Sequence, residues 1–188
     1  MEQKESVKDR VFDFYRLKSE FVKEDEKGVL SKTKSEELIM ATSYTEAEKV
    51  AYEIAEDQER TRFGSLGIEI IKTKINDVLF NDVLCQDDNV VCGMICNFFE
   101  ESEDSGVGLY SVKVLFLTVD EKTGKTKKSN QTFFVPATSN SDATTRIKDY
   151  LKQSFSDYVI RDTKFDKAKA IYWPKDFHQQ KVKDFDLN

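Results

Sequence analysis

A seven-residue motif that occurs twice constrains this chain more than any other feature. The stretch ATSYTEA at residues 41–47 returns as ATSNSDA at residues 137–143, 96 positions later. Each copy follows an apolar run typical of a strand and precedes a pattern typical of an amphipathic helix. We therefore predict that the motif joins a strand to a helix in a unit that the chain contains twice.

The similarity between the two copies extends into the flanking segments. Alternation typical of a half-buried strand begins at Tyr15 and recurs from Tyr110, 95 positions later. Polar turns at residues 24–28 and 120–124 follow these strands. The first helical stripe is Ala47, Val50, Ala51, Ile54 and Ala55, and all of these except Val50 recur 96 positions later, as Ala143, Ile147, Tyr150 and Leu151. Together these matches predict an internal duplication of a strand-hairpin-strand-helix-strand (ββαβ) unit.

The start of the first helix carries its own signal. Ser43 is followed three residues later by Glu46. This spacing predicts a capping box, in which the Ser hydroxyl and the Glu carboxylate accept hydrogen bonds from free backbone N–H groups.

The predicted fold class is α+β, with antiparallel sheets, helices on one face and a pseudo-two-fold relation between the copies. The predicted boundaries are a charged leader at 1–13, a first repeat at 14–80, a connector at 81–108, a second repeat at 109–173 and a polar tail at 174–188. Each repeat alone is small enough that one hydrophobic core is marginal, so we expect the two to pack together. The sheet order stays open, because duplicated units can exchange strands between copies or between chains.

Composition limits the class of protein. The chain has 188 residues, 39% of them apolar, and fourteen Phe and seven Tyr supply material for a folded core. The first ten residues are charged, and no stretch approaches the ~20 apolar residues that span a bilayer. We therefore expect a cytoplasmic protein without a membrane partner. The net charge of −6 disfavours a simple polyanion binder, although a binding groove needs only a local basic patch.

Catalytic and metal sites have little support in the sequence. The single histidine, His178, lies in the polar tail, where a solvated side chain is expected. Cys85, Cys92 and Cys96 are spaced C-x6-C-x3-C, which is not a zinc-knuckle spacing, and their apolar neighbours indicate core residues. The apolar segment Val90 to Phe99 fits either a strand or a helix. We expect no enzymatic activity, no metal and no cofactor.

The two hairpins carry the most suggestive pattern. Their candidate nucleic-acid-binding residues are Lys32 and Lys34 in the first hairpin and Lys122, Lys125, Lys127 and Lys128 in the second. Lysines beside strands that bear Phe133 and Phe134 are typical of a surface that binds single strands, where cations follow phosphates and rings stack on bases. A structural explanation competes with this one, since Lys at hairpin ends keeps strands soluble and Phe fills cores.

The C-terminal residues Asp184, Phe185 and Asp186 form a short acidic, aromatic tail. Such tails on single-strand binders of the DNA replication type recruit partner proteins and compete with nucleic acid for the basic groove. We predict a partner-binding role for these three residues.

Three further stretches resemble a known family. They are SYTEAEK at residues 43–49, VDEKTGKTKK at 119–128 and SDYVIRDTKF at 156–165. They are similar to domain of unknown function 4494, found in Bacteroidota and their phages, including crAss-like phages, and the resemblance extends over roughly residues 15–172. Val90 to Phe99 is longer than the family pattern. Because the family has no established catalytic or binding residues, the resemblance implies only an origin in a phage or mobile element.

These observations lead to two functional hypotheses. The first is a non-enzymatic phage protein that binds single-stranded DNA or RNA in the cytoplasm of the bacterial host. The alternative is a structural or adaptor protein, such as a virion component or a host-protein binder, which can be oligomeric. The first hypothesis requires Lys125, Lys127 and Lys128 to share one concave face with Lys32 or Lys34 and with exposed aromatic rings.

Overall fold

The computed structural model describes residues 11–79, 108–152, 154 and 156–173. Its elements are β1 (Asp13–Glu24), β2 (Leu30–Ala41), α1 (Tyr44–Asp57), β3 (Leu66–Lys72), β4 (Asp77–Val78), β5 (Gly108–Val119), β6 (Thr126–Ala137), α2 (Asn140–Leu151), β7 (Asp157–Asp166) and β8 (Ile171–Tyr172). The predicted α+β class is confirmed, with two four-stranded sheets and two helices in this part of the chain. The predictions for Val90 to Phe99, the three cysteines, His178 and the acidic tail lie outside the described residues.

The chain divides into two compact units. The first unit contains the described residues 11–73 and 168–173, and the second contains 74–79, 108–152, 154 and 156–167. Each unit has its own four-stranded sheet and its own helix.

The sheet of the first unit has the strand order β3-β1-β2-β8. The hairpin of β1 and β2 is antiparallel over its whole length, from the pair Asp13 and Ala41 to the pair Glu24 and Leu30. Its turn contains Gly28 at a φ of 79°, a backbone conformation that favours glycine. β3 pairs antiparallel with the other side of β1.

The sheet of the second unit has the order β4-β6-β5-β7. Written in reverse as β7-β5-β6-β4, it matches β3-β1-β2-β8 strand for strand, with each hairpin at the centre of its sheet. β5 and β6 form an antiparallel hairpin from the pair Gly108 and Ala137 to the pair Val119 and Thr126. β7 pairs antiparallel with β5, and the register shifts between Lys113 and Val114.

The prediction of purely antiparallel sheets is wrong, because the short strands β4 and β8 pair in parallel with their neighbours. β8 pairs in parallel with β2, and β4 pairs in parallel with β6. Each follows a long strand of one unit in sequence and belongs to the sheet of the other. Strands of two residues are too short to show period-two alternation, so the sequence pattern could not reveal them.

Each helix covers one face of its sheet, as the apolar stripes predict. The residues Ala47, Val50, Ala51, Ile54 and Ala55 of α1 are all buried. They pack in one cluster with Tyr15, Leu17 and Ile39 of the hairpin. In α2 the buried residues are Ala143, Ile147 and Leu151. Tyr150 belongs to the same predicted apolar stripe, but its side chain is 53% exposed.

The helix caps differ from the predicted capping box by one residue. Ser43 Oγ accepts a hydrogen bond from the Glu46 N–H at 3.2 Å. The Glu46 carboxylate accepts from the N–H of Thr42 at 2.7 Å, where a capping box would use the N–H of Ser43 itself. The second helix repeats this arrangement with Thr138, Ser139 and Asp142.

Candidate functional site

The lysines of the first hairpin lie on the sheet face opposite α1. Lys32 and Lys34 alternate with residues of β2 that face the helix, so they project together from the other side. Their ammonium groups lie 3.5 and 3.3 Å from the carboxylate of Glu20 on β1. The hydrogen bond and charge of Lys34, followed by those of Lys32, lower the pKa of Glu20. Glu20 therefore offsets part of the positive charge of this pair.

Lysines of the second hairpin are split between two faces. Lys127 and Lys128 are successive residues of β6, so their side chains point to opposite sides of the sheet. Lys127 is separated from Gln131 and Phe133 by even numbers of positions, so it shares with them the side that carries α2. The single face that the nucleic-acid hypothesis requires is therefore not formed by Lys127 and Lys128.

Asp120 organises the end of the second hairpin. One of its carboxylate oxygens accepts from the backbone N–H groups of Lys122 and Thr123 at 3.0 and 3.1 Å. Its other oxygen lies 3.0 Å from the ammonium of Lys127. The hydrogen bond from Lys127, followed by those from the two backbone groups, lowers the pKa of Asp120. The turn that holds Lys122 and Lys125 is thereby tied to Lys127, and all three side chains are exposed.

A concave surface, which we call the aromatic pocket, lies on the α2 face of the second unit. It has a volume of about 630 Å³ and is lined by Phe116, Phe133 and Tyr150, together with the carboxylate residue Asp77 and uncharged polar residues. The ring of Phe133 lies 6.5 Å from Phe116 and 6.1 Å from Tyr150 in edge-to-face contacts. Phe133 is buried, whereas half-buried Phe116 and exposed Tyr150 leave ring surface accessible.

Lys127 lies at the rim of the aromatic pocket. It is paired across the hairpin with Thr118, which lines the pocket, and it is two residues from Ser129, which also lines it. A cation and accessible rings thus share one surface in the second unit. Among the predicted lysines, Lys122, Lys125 and Lys127 are grouped at this end of the hairpin, and Lys128 lies on the other face.

A second concave surface, which we call the charged pocket, lies on the α1 face of the first unit. It has a volume of about 490 Å³ and includes Phe21, Glu37, Gln58, Arg60 and Phe63 in its lining. The side chains of Arg60 and Glu37 are each 3% exposed, and an Arg60 nitrogen lies 2.6 Å from a Glu37 oxygen. A buried ion pair next to an open cavity is a polar feature that the apolar pattern does not predict.

The end of α1 directs Arg60 into this position. Glu59 has a φ of 52°, which turns the chain back beneath the helix. The N–H of Arg60 then donates to the carbonyl of Ala55 at 2.8 Å, and the N–H of Glu59 donates to Glu56 at 3.0 Å. These two bonds form a Schellman motif, in which the left-handed position is usually occupied by glycine.

The two pockets occupy corresponding places in the two units. Glu37 is paired with Leu17 across the first hairpin, and Phe133 is paired with Val112 at the matching point of the second. An ion pair in one unit therefore stands where the other unit has an aromatic cluster. Comparing the two sequence copies position by position could have found this, because Glu37 is charged where its counterpart Phe133 is apolar.

Most of the chain matches a known protein family. The model of a protein family described as Domain of unknown function (DUF4494) matches residues 13–175. The chain belongs to this family. No curated protein and no solved structure matches the chain. The family description names no activity, so a proposal about function depends on the two units and their pockets.

The part of the chain that the structure describes contains neither a cluster of potential metal ligands nor a helix that could cross a bilayer. Within residues 11–79, 108–152, 154 and 156–173, no three His, Cys, Asp or Glu side chains are grouped so that they could hold a metal ion. Neither α1 nor α2 is long and apolar enough to cross a bilayer, and no other helix is described.

Proposed function

We propose that this protein is a non-enzymatic binding protein that holds single-stranded DNA or RNA on the second unit alone, through Lys122, Lys125 and Lys127. This binding does without the face shared with Lys128, Lys32 or Lys34 that the sequence hypothesis required. The observation that carries the proposal is the common surface of Lys127 and the aromatic pocket, where Tyr150 is 53% exposed. A base stacks on the accessible rings, and the neighbouring phosphates contact Lys127 and the turn lysines Lys122 and Lys125.

The ion pair between Lys127 and Asp120 is a modest obstacle to this binding. The Lys127 side chain is 73% exposed, and an ion pair this exposed is screened by water and contributes little to stability. Stacking of one base on an aromatic side chain contributes about 1–3 kcal/mol. We therefore expect Lys127 to leave Asp120 and bind a phosphate when a base stacks nearby.

The adjacent lysines of β6 allow a matched experiment. Lys127→Glu and Lys128→Glu make the same change in charge at successive positions, on opposite faces of one strand. Binding of a labelled single-stranded oligonucleotide is measured by fluorescence anisotropy at low and moderate salt. We expect Lys127→Glu to weaken binding by about tenfold or more and Lys128→Glu to have a much smaller effect. Equal effects of the two variants, or no binding to the parent protein at low salt, would contradict the proposal.

A second candidate function is that of a structural or adaptor protein that binds other phage or host proteins, in the bacterial cytoplasm or in the virion. The net charge of −6 and the pairing of Lys32 and Lys34 with Glu20 favour it, because both reduce attraction to a polyanion. The tail residues Asp184, Phe185 and Asp186 are the proposed contact in this case. Removing residues 184–188 is then expected to abolish co-purification of a partner from infected host cells.

We also propose that the two units arose by internal duplication and are related by pseudo-two-fold symmetry. Matching strand order, hairpin strands of equal length and matching caps support this proposal. The family resemblance favours an origin in a phage or mobile element. Sequencing the flanking genes tests the origin, with phage replication or virion genes as the expected neighbours.

A further inference from the structure

The charged pocket of the first unit has the size and lining of a site for a small ligand. Its volume of about 490 Å³ lies within the range of about 300–1,000 Å³ that is usual for such sites. We propose that it binds a ligand that joins a flat ring to an anionic group, in the class of the nucleoside monophosphates. The inference does not depend on strand binding by the second unit.

The floor of the charged pocket is a polar network in which every donor of Arg60 is used. Arg60 donates to Ser19 at 2.8 Å, to the two oxygens of Glu37 at 3.3 and 2.6 Å, and twice to Gln58 at 3.2 and 2.6 Å. These five bonds use the five N–H donors of a guanidinium group. Gln58 in turn donates to the hydroxyl of Tyr172 on β8 at 2.8 Å. The floor is thus neutral and fixed in position, so an anion must be recognised elsewhere in the pocket.

Cations and rings at the walls provide that recognition. Lys23 is exposed and follows Phe21 along the α1 face of β1, and both line the pocket. Across the pocket, the guanidinium of Arg62 lies over the ring of Phe63, at 5.3 Å from its centre. Arg62 also lies 3.4 Å from Glu59, but both side chains are more than half exposed, so this ion pair is weak. Arg62 can therefore turn to a phosphate while Phe63 offers a face to a ring.

The charged pocket lies at a place in the fold where both units are concave. A concave surface occurs at the matching point of the second unit, where Phe133 replaces Glu37. The concavity is therefore a property of the shared ββαβ arrangement, and the side chains set its chemistry. The aromatic pocket combines rings with the carboxylate of Asp77, whereas the charged pocket combines rings with the cations Lys23, Arg62 and Lys169 and the carboxylates Glu24 and Glu59.

Isothermal titration calorimetry of the full chain with adenosine monophosphate tests the inference. We expect saturable binding to the parent protein, and binding of adenosine or of inorganic phosphate that is at least about tenfold weaker, because each lacks one of the two recognised groups. Phe63→Ala and Arg62→Glu are each expected to weaken binding of the nucleotide by about tenfold or more. Lys49→Glu, which makes the same charge reversal on the exposed side of α1, is the matched control and should leave binding unchanged.

The outcomes separate this site from strand binding by the second unit. Absence of saturable heat with the parent protein, or loss of binding in Lys49→Glu as large as that in Arg62→Glu, overturns the inference. Retained binding in both pocket variants also overturns it, provided that circular dichroism shows them folded. A competing oligonucleotide that displaces the nucleotide identifies a strand terminus as the natural source of the ligand. Failure to displace it identifies a free nucleotide.

Discussion

A guanidinium nitrogen of Arg60 lies 2.6 Å from a carboxylate oxygen of Glu37, and both side chains are 3% exposed. Glu37 also accepts a hydrogen bond from the hydroxyl of Ser35. Removing two charges from water is costly, and this geometry offsets the cost because each charged group has several partners. The pair connects β2 to the segment that follows α1, and Gln58 connects it to Tyr172 on β8.

Replacing either partner of this ion pair alone should destabilise the first unit strongly. Arg60→Met or Glu37→Leu leaves an uncompensated buried charge, and we expect each to lower the free energy of unfolding by about 3–5 kcal/mol. The double variant should recover most of the loss, because apolar side chains of similar size fill the space without a charge. Urea unfolding followed by circular dichroism measures both values. Arg62→Met is the control, since this Arg is 60% exposed and its loss should cost under about 1 kcal/mol. Additive effects of the two single changes would contradict this prediction.

The elements of the fold could be predicted because each has a local signal. Alternation from Tyr15 and Tyr110, the stripe from Ala47 and the caps at Ser43 and Ser139 are properties of neighbouring residues. The exchange of β4 and β8 between the two sheets has no such signal. It depends on pairing between residues far apart in sequence, such as Leu38 with Ile171.

The candidate sites were harder to predict for a similar reason. The lysines were found by composition, but composition does not distinguish Lys127 from Lys128, and only their alternation along β6 separates the faces. Arg60 was missed because its burial depends on the left-handed turn at Glu59, which is unusual for a residue other than glycine. Tyr150 fits the apolar stripe of α2 but is half exposed. Helical periodicity gives the direction of a side chain and does not give the extent of its burial.

Glu59→Gly should stabilise the first unit. The φ of 52° at this position is unfavourable for a side chain, and relief of this strain is worth about 1–2 kcal/mol. The greater freedom of glycine in the unfolded chain cancels about 0.4–1 kcal/mol of that gain. We therefore expect a net increase of roughly 0.5–1 kcal/mol in the free energy of unfolding. Glu56→Gly makes the same change within α1 and should instead lower the free energy by about 0.5–1 kcal/mol. Shifts of the same sign in the two urea curves would show that the turn is not strained.

Gly108→Ala should destabilise the second unit. A Cβ atom at this position would lie 2.8 Å from a ring carbon of Phe165, which packs edge-to-face on Tyr110. The ring must move, and overpacking of this kind costs about 1–3 kcal/mol. Gly67→Ala is the control, because the nearest atom to its Cβ would lie 3.8 Å away, at an ordinary contact distance. Thermal unfolding of the two variants compares them directly, and equal midpoints would contradict the prediction.

The cap of α2 should contribute stability that depends on pH through Asp142. Burial opposes ionisation of this carboxyl group, but hydrogen bonds from Thr138 and Arg146 outweigh it and lower its pKa below the usual value of 3.8. A group with a lowered pKa in the folded state stabilises the protein above its unfolded pKa, and the effect is lost as the pH falls through the folded pKa. Asp142→Asn should therefore be less stable than the parent at pH 7, and the difference should shrink as the pH falls below about 3.9.

Ser139→Ala separates this effect from the cap itself. It removes the hydroxyl that accepts from the Asp142 N–H at 3.1 Å, and it changes no charge. Loss of such a cap costs about 1 kcal/mol, and we expect a similar cost at pH 7 and at pH 4. Urea unfolding of the parent and both variants from pH 7 down to about pH 2, below the lowered pKa of Asp142, measures the two behaviours. If the difference between Asp142→Asn and the parent stayed constant as the pH fell, the carboxylate would not be the group that links the α2 cap to pH.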